Sequence, residues 1–283
     1  MARRPWRWRK LGLATLLGRR PRGIFIPYRH ADAIPEPAPG HPELEPIFEA
    51  AQGDFAALLD RIDAHAEALA AFDGPAPEPR WTQTWFPRAD GAAAYALARD
   101  DPPRRIVEVG SGHSTRFLAR ALKDAGATAE HLCIDPAPRA PIRTLPLRTE
   151  EALLGPEHLP LFDALGPGDM AVFDSSHILH PGADVDLILN RILPRLAPGV
   201  RVHVHDVFLP DPYPPDWAWR GYSEQLGLAP WLFTGGLRPI WSSAWAIRRM
   251  NAAERPGLAA LPWTGAPESS LWAVRAAPIE GPA

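Results

Sequence analysis

Apolar positions along this 283-residue chain change their period near residue 104. Between Ile47 and Leu69, apolar side chains recur every three or four positions, which predicts a helix. Pro46 suits the first turn of this helix, because a proline there gives up no backbone hydrogen bond. A second helical pattern covers residues 91 to 99. We therefore expect a helical region ahead of residue 104.

Beyond residue 104, short apolar runs alternate with helical patterns. The runs predicted as strands are "RIVEVG" (105–110), "HLCIDP" (131–136), "DMAVFDSSH" (169–177) and "GVRVHVHDVF" (199–208). The helical patterns between them include "TRFLARALKDAG" (115–126) and "ADVDLILNRILPRL". After residue 220 we expect a helix from about Tyr222, a strand near 239–245 and a last strand over 270–276. This alternation predicts an α/β fold, in which helices cover both faces of a mostly parallel sheet.

The region before the sheet has a different composition. A proline-rich stretch, "AIPEPAPGHPELEP" at 33–46, is typical of an extended linker. We therefore divide the chain into two parts. Residues 1–80 are predicted to form a basic arm, a linker and an amphipathic helix, and residues 81–283 the main domain.

Charge is distributed unevenly along the chain. The formal net charge is -3, but the first 29 residues hold nine basic residues and no acid, which leaves 21 basic and 33 acidic residues in the remainder. Trp6 and Trp8 lie in this basic arm, which could make weak contact with an anionic surface. A solvated arm is the simpler interpretation, since short charge runs usually face water.

Two further features limit the class of protein. No stretch of about 18 apolar residues is present, so we predict no membrane span. The single cysteine, Cys133, excludes a disulfide framework and a multi-cysteine metal site, and favours a cytoplasmic location.

Polar residues and glycines follow four of the predicted strands, where chemistry would be expected. The carboxyl ends of neighbouring parallel strands meet at one edge of a sheet, and ligands bind in the crevice there. The residues at these strand ends are Glu108, Gly110, Ser111 and Gly112, then Asp135, then Asp174 and His177, and last His205 and Asp206. We expect their side chains to surround one pocket.

The first two strand ends predict a nucleoside-containing cofactor. Gly110 and Gly112 would let a ligand approach the backbone, and Asp135 lies 23 residues beyond Gly112, at the spacing of a carboxylate that binds ribose hydroxyls. The dinucleotide pattern needs a third glycine where this chain has Thr115, which weakens a nicotinamide interpretation. Glu108 lies inside an apolar strand and needs a partner, which a cationic ligand would supply.

In order and spacing, "VEVGSGHST", "CIDP", "GDMAVFDSSH" and "LAPGVRVHVHD" resemble the motifs of class I S-adenosylmethionine-dependent methyltransferases. The resemblance covers roughly residues 80 to 276 and implies a Rossmann-like sheet of seven strands, the last antiparallel. It also implies that Glu108, Gly110 and Gly112 line the methionine end of S-adenosylmethionine. Ser111 belongs to the same loop, and Asp135 would hold the ribose.

The third and fourth strand ends are similar to those of metal-dependent sugar O-methyltransferases of macrolide biosynthesis. In that branch an Asp-x-x-His motif, here Asp174 to His177, supplies a metal ligand and the general base. Two adjacent acids follow the next strand there, whereas this chain has His205-Asp206. The implied metal ligands are therefore Asp174, Asp206 and His205. Hard oxygen ligands suit Mg²⁺, but a histidine is a softer ligand.

Each of these residues also has a structural interpretation. Asp174 could cap the following turn, Asp206 could form a strand-end turn, and His177 could be a loop histidine. His203 and His205 point to the same face of their strand, and one could simply be a buried, hydrogen-bonded side chain. Convergence of all the strand ends on one cleft would favour the catalytic interpretation.

Aromatic and proline residues between 205 and 225 predict a stiff wall for a ring-bearing acceptor, such as a sugar hydroxyl compound. Arg88 and Asp90 could also reach the site. The aromatic loops and the acidic balance outside the arm argue against a nucleic-acid partner. The predicted activity is thus O-methylation of a small molecule. A nicotinamide-dependent oxidoreductase and a non-catalytic nucleoside-binding module remain the alternatives.

Overall fold

The structure is a computed structural model that describes residues 6–18, 21–24, 26–36, 38–138 and 142–277. Of the predicted basic arm, Arg3, Arg4, Arg19 and Arg20 lie outside the described residues. Contact of the arm with an anionic surface stays a prediction.

Seven strands form a single sheet. They are β1 (Arg105–Val109), β2 (Glu130–Ile134), β3 (Arg148–Glu150), β4 (Met170–Phe173), β5 (Arg201–Val204), β6 (Leu237–Ser242) and β7 (Leu271–Arg275). Their order is β3-β2-β1-β4-β5-β7-β6. The pairs among β1 to β5 are parallel, and β7 is antiparallel to both β5 and β6. The mostly parallel, seven-stranded sheet with an antiparallel last strand is confirmed.

The α-helices lie between and around these strands. They are α1 (Trp6–Leu16), α2 (Glu45–Ala50), α3 (Gln52–Ala64), α4 (Ala66–Ala70), α5 (Arg88–Asp100), α6 (His113–Asp124), α7 (Leu159–Asp163), α8 (Asp184–Leu187), α9 (Glu224–Phe233), α10 (Ser243–Arg249) and α11 (Pro256–Ala259). A π-helical turn at Ile188–Ile192 and a 3₁₀ turn at Leu193–Arg195 continue α8. The helical pattern predicted near 183–196 is therefore present as three consecutive short segments.

The central strands are buried on both faces, as a parallel sheet requires. Every residue of β4 and β5 is buried, and so are four of the five residues of β1. Helices α5 and α6 pack against each other, and α3 packs against α5 and β6. Burial on both faces explains why these strands are continuous apolar runs in the sequence rather than alternating ones.

The predicted helix between Ile47 and Leu69 is divided among α2, α3 and α4. Most of its apolar face is buried: Phe55 packs edge-to-face against Phe48 and against Trp241 of β6. The same hydrophobic core therefore includes side chains from before and after residue 80. The division of the chain at that residue stays a prediction.

Most of the described residues between 6 and 39 are exposed, whereas Leu44 just ahead of α2 is fully buried in the core. Trp6 in α1 is 78% exposed, and the backbone of His41 is tied to the sheet domain by a 2.7 Å hydrogen bond to the carbonyl of Pro210. Among the helices described, none combines the length and the apolar composition needed to cross a bilayer.

Candidate active site

The turn between β1 and α6 requires glycine at position 110. Gly110 has a φ of +79°, in the left-handed region, and a Cβ atom there would lie 2.0 Å from the backbone oxygen of Asp174. Any side chain would therefore collide with the end of β4. Because of this close approach, the ends of β1 and β4 form adjacent parts of the same cleft wall.

The carboxylate of Asp135 is fixed at the end of β2 by the same turn. The amide and the hydroxyl of Ser111 both donate to Oδ2 of Asp135, each at 2.8 Å, and the amide of Ala137 donates to Oδ1. Asp135 and Ser111 line the cleft, whereas Gly112 does not. Gly112 precedes α6, and its amide donates to Oγ1 of Thr115.

Glu108 does not reach the cleft. Its side chain is fully buried, and it accepts hydrogen bonds from Ser114 at 2.5 Å and from Cys133 at 3.3 Å, with Nε2 of His131 at 3.1 Å. The expectation that a cationic ligand supplies its partner is wrong, because side chains of the chain itself do so. Burial and Glu108 together raise the pKa of the Cys133 thiol, which therefore stays protonated.

A cleft of about 710 Å³ opens at the carboxyl ends of β1, β2, β4 and β5. The strand-end residues predicted from the sequence that line it are Gly110, Ser111, Asp135, Asp174, His177, His205 and Asp206. The predicted convergence thus holds for three of the four carboxylates, with Glu108 as the exception. Aromatic side chains of Trp85, Trp217 and Tyr222 form further parts of the wall, together with Leu153 and Leu154 beyond β3.

His177 lies at the centre of an acidic cluster. Its Nδ1 is 2.9 Å from Oε2 of Glu224, while its Nε2 is 3.3 Å from Oδ1 of Asp174 and 3.5 Å from Oδ2 of Asp206. Burial opposes a charged imidazole, but Asp174 and Glu224 outweigh it and raise the pKa of His177 well above 6.5. One nitrogen is therefore held by Glu224 and the other is directed to the cleft carboxylates.

His205 repeats this arrangement from the other side. Its Nε2 is 3.3 Å from the fully buried Asp90, and its Nδ1 is 3.5 Å from an oxygen of Asp174 and 3.5 Å from an oxygen of Asp206. Burial lowers the pKa of His205, but Asp206 and Asp174 raise it well above 6.5. Asp174 therefore lies between two imidazoles, which hold the pKa of its carboxyl well below 3.8 against the effect of its burial.

A family model described as a methyltransferase domain matches residues 107–207, which include the glycine turn and the ends of β2, β4 and β5. Over this segment the chain is similar to a methyltransferase domain, in line with the resemblance of its motifs. Among solved structures, the crystal structure of SAH-bound Podospora anserina methyltransferase PaMTH1 is similar at 17% identity. The match covers 89% of this chain and 98% of the chain in that crystal structure, with a TM-score of 0.41. No curated protein matches this chain.

The geometry of this site does not fit a resident metal ion at Asp174, Asp206 and His205. Nδ1 of His205 lies 3.5 Å from an oxygen of Asp174 and 3.5 Å from an oxygen of Asp206. Among the described residues, the three side chains whose ligand atoms all lie within 4.8 Å of one another are Glu108, His131 and Cys133. The predicted metal ligands do not meet that spacing, and the prediction is not supported.

Sequence reasoning missed two residues of the site. Glu224 lies 47 positions beyond His177, at the start of α9, and Arg220 lies in the preceding 3₁₀ turn with Nη1 4.0 Å from Asp206. Neither has a motif of its own. Asp90 does reach the site through His205, as considered from the sequence, whereas Arg88 pairs with Glu268 at 2.7 Å instead.

Proposed function

We propose that this methyltransferase transfers the methyl group of S-adenosylmethionine to a hydroxyl group of a small molecule, such as a sugar or a natural product. The observation that carries the proposal is one cleft lined both by the Gly110–Asp135 region and by His177 with its acidic partners. The first part suits a nucleoside cofactor, and the second suits an acceptor that must lose a proton.

In the proposed reaction the acceptor oxygen attacks the methyl carbon, and the carbon–sulfur bond breaks with its electron pair remaining on sulfur. The hydroxyl proton passes to Nε2 of His177, because Nδ1 is held by Glu224. Nε2 must be unprotonated to accept it. Since the pKa of His177 is raised well above 6.5, the proposal implies a rate that rises with pH above neutrality.

Aromatic side chains support a ring-bearing acceptor. Trp217 and Tyr222 line the cleft and pack edge-to-face with centroids 5.9 Å apart, and the guanidinium of Arg220 lies 4.1 Å from the ring of Trp217. Rings held rigidly in this way offer flat, amphipathic surfaces at little entropic cost. A sugar ring or an aromatic ring would fit such a surface, whereas a flexible chain would gain less from it.

The strand order weighs against the nicotinamide-dependent oxidoreductase. Dinucleotide-binding sheets have the order 3-2-1-4-5-6, whereas here the antiparallel β7 is inserted between β5 and β6. The buried His177–Glu224 and His205–Asp90 pairs weigh against a module that only binds a nucleoside. Such a module would have no use for two imidazoles held at raised pKa values.

Two measurements test the proposal. Calorimetric titration should show binding of S-adenosylmethionine and S-adenosylhomocysteine. Tight binding of NADH without binding of either compound would overturn the proposal.

With the methyl-labelled cofactor and a panel of hydroxyl acceptors, His177→Asn should lower turnover about 100-fold or more, in line with the loss of a general base. Its affinity for S-adenosylhomocysteine should stay within about threefold, since His177 lies on the acceptor side. Unchanged turnover would remove His177 from the mechanism.

A further inference from the structure

Three basic side chains near the start of α6 have no acidic partner among the described residues. Arg116 is only 3% exposed, yet neither its Nε nor its Nη1 has a hydrogen-bond partner. The buried Nε of Arg80 and Nδ1 of His113 also lack one. An unpaired buried charge costs several kcal/mol, roughly, so native proteins rarely leave one without a counter-ion.

The three groups also raise each other's electrostatic energy. Burial, Arg116 and Arg80 together lower the pKa of His113 to about 4. Burial and the charge of Arg80 lower the pKa of Arg116. Glu78, two positions before Arg80, is already paired with Arg120 and Lys123. At neutral pH the cluster therefore holds two guanidinium charges, one neutral imidazole and no compensating carboxylate.

The position of these three side chains also favours the binding of an anion. The 12-residue α6 begins at His113, and the free N–H groups of a first helical turn carry partial positive charge. The ring of Trp85 stacks on that of His113, with centroids 5.6 Å apart and an interplanar angle of 8°. Trp85 and Ser111 both line the active-site cleft. The cluster is thus a neighbour of the cleft rather than a separate surface feature.

We propose that Arg80, His113 and Arg116 form an oxyanion-binding site beside the cleft, which holds a carboxylate or phosphate group of a bound ligand. Guanidinium groups bind such anions through pairs of parallel N–H donors, and Arg116 has two unused donors. The oxyanion has two possible sources: the carboxylate of the cofactor, or an acidic group on the acceptor. Both sources rest on the proposed function, whereas the binding of an oxyanion at this site does not.

The test compares Arg116→Gln with the wild-type protein and with Arg120→Gln. Arg120 lies on the same helix and its loss changes the charge equally, but it is paired with Asp124 and Glu78. Three probes are measured: inorganic phosphate by its effect on Tm at constant ionic strength, and S-adenosylhomocysteine and 5′-methylthioadenosine by calorimetry. The last compound keeps the nucleoside and lacks the carboxylate.

If the cofactor supplies the oxyanion, Arg116→Gln should weaken S-adenosylhomocysteine binding about 10- to 100-fold, the effect of losing a charged hydrogen bond. Its affinity for 5′-methylthioadenosine should stay within about threefold of wild type. If the acceptor supplies it, phosphate should raise the Tm of the wild type and not of Arg116→Gln, while cofactor affinity is unchanged. Arg120→Gln should respond as the wild type does in both cases.

The proposal is overturned if Arg116→Gln matches the wild type with all three probes. Without any anion, Arg116→Gln should keep or raise the Tm, because it removes an unpaired charge; a merely structural arginine would lower it. If Arg116→Gln fails to fold, Arg80→Gln is measured instead with the same three probes and the same expected outcomes, because Arg80 is only half-buried. Failure of the wild type to bind S-adenosylhomocysteine would refute the proposed function, whereas the phosphate measurement would still decide the oxyanion site.

Discussion

Backbone strain is concentrated at single residues of the site. Among the described residues, the non-glycine residues with positive φ are His177 at 59°, Asp206 at 56° and Asn251 at 51°. Two of the three, His177 and Asp206, belong to the cluster of carboxylates and imidazoles in the cleft, and each follows the end of a central strand. Such conformations cost roughly 1–3 kcal/mol each and persist where the surroundings hold them, often at functional sites. They direct both side chains into the cleft.

Gly110 is the residue at which backbone and site are most tightly coupled. We expect Gly110→Ala to lower the free energy of unfolding by at least about 2 kcal/mol, because its Cβ would collide with backbone at the end of β4. Urea denaturation measures the loss. Gly53→Ala in α3 is the matched control: no atom lies within 4 Å of its added Cβ, and it should stabilise the helix by up to about 1 kcal/mol. Equal stability of the two variants would contradict this account.

Elements differed in how well the sequence predicted them. Strands β1, β2, β4 and β5 were visible as apolar runs because both of their faces are buried. Strand β3 was not predicted, since its three residues Arg148–Glu150 are polar and only partly buried at the edge of the sheet. The helix predicted near Ile47 to Leu69 was found as three shorter ones, because apolar spacing shows the buried face but not where the backbone turns.

Helix α3 provides a test of whether the region before residue 80 folds together with the sheet. Phe55→Ala should lower the free energy of unfolding by about 3–5 kcal/mol, since the ring is fully buried against Phe48 and Trp241. Phe233→Ala in α9 is the control, because that ring is 48% exposed and its loss should cost less than about 1 kcal/mol. Urea titration should show one cooperative transition. A separate early transition, with the sheet unaffected, would mean that α3 folds independently.

At the scale of the whole molecule, the site depends on partners that no local pattern indicates. His177 and Asp174 form a recognisable motif, but their protonation is set by Glu224 from α9 and by His205, which Asp90 of α5 supports. The sequence thus predicted which strand ends converge, and it could not predict which charges neutralise each other there. The predicted metal ligands do not fit a resident ion for the same reason: imidazoles of the chain itself lie beside Asp174.

Divalent ions should therefore leave the thermal stability of the folded protein unchanged. Millimolar Mg²⁺ or Mn²⁺ would have to compete with the imidazoles of His177 and His205 for the same carboxylates. We therefore expect neither ion to shift the Tm by more than about 1 °C. A stabilisation of about 1 kcal/mol would shift the Tm of a domain of this size by about 2–4 °C. Thermal unfolding with and without EDTA measures this, both with and without S-adenosylhomocysteine.

A variant of His205 tests the same point from the other side. His205→Asp supplies the second of the two adjacent acids found in the sugar O-methyltransferases that this chain resembles, and it removes one imidazole. Mg²⁺ should stabilise this variant and not the wild type. Stabilisation of the wild type by Mg²⁺ that is lost in Asp206→Asn would show instead that the imidazoles give way to a metal.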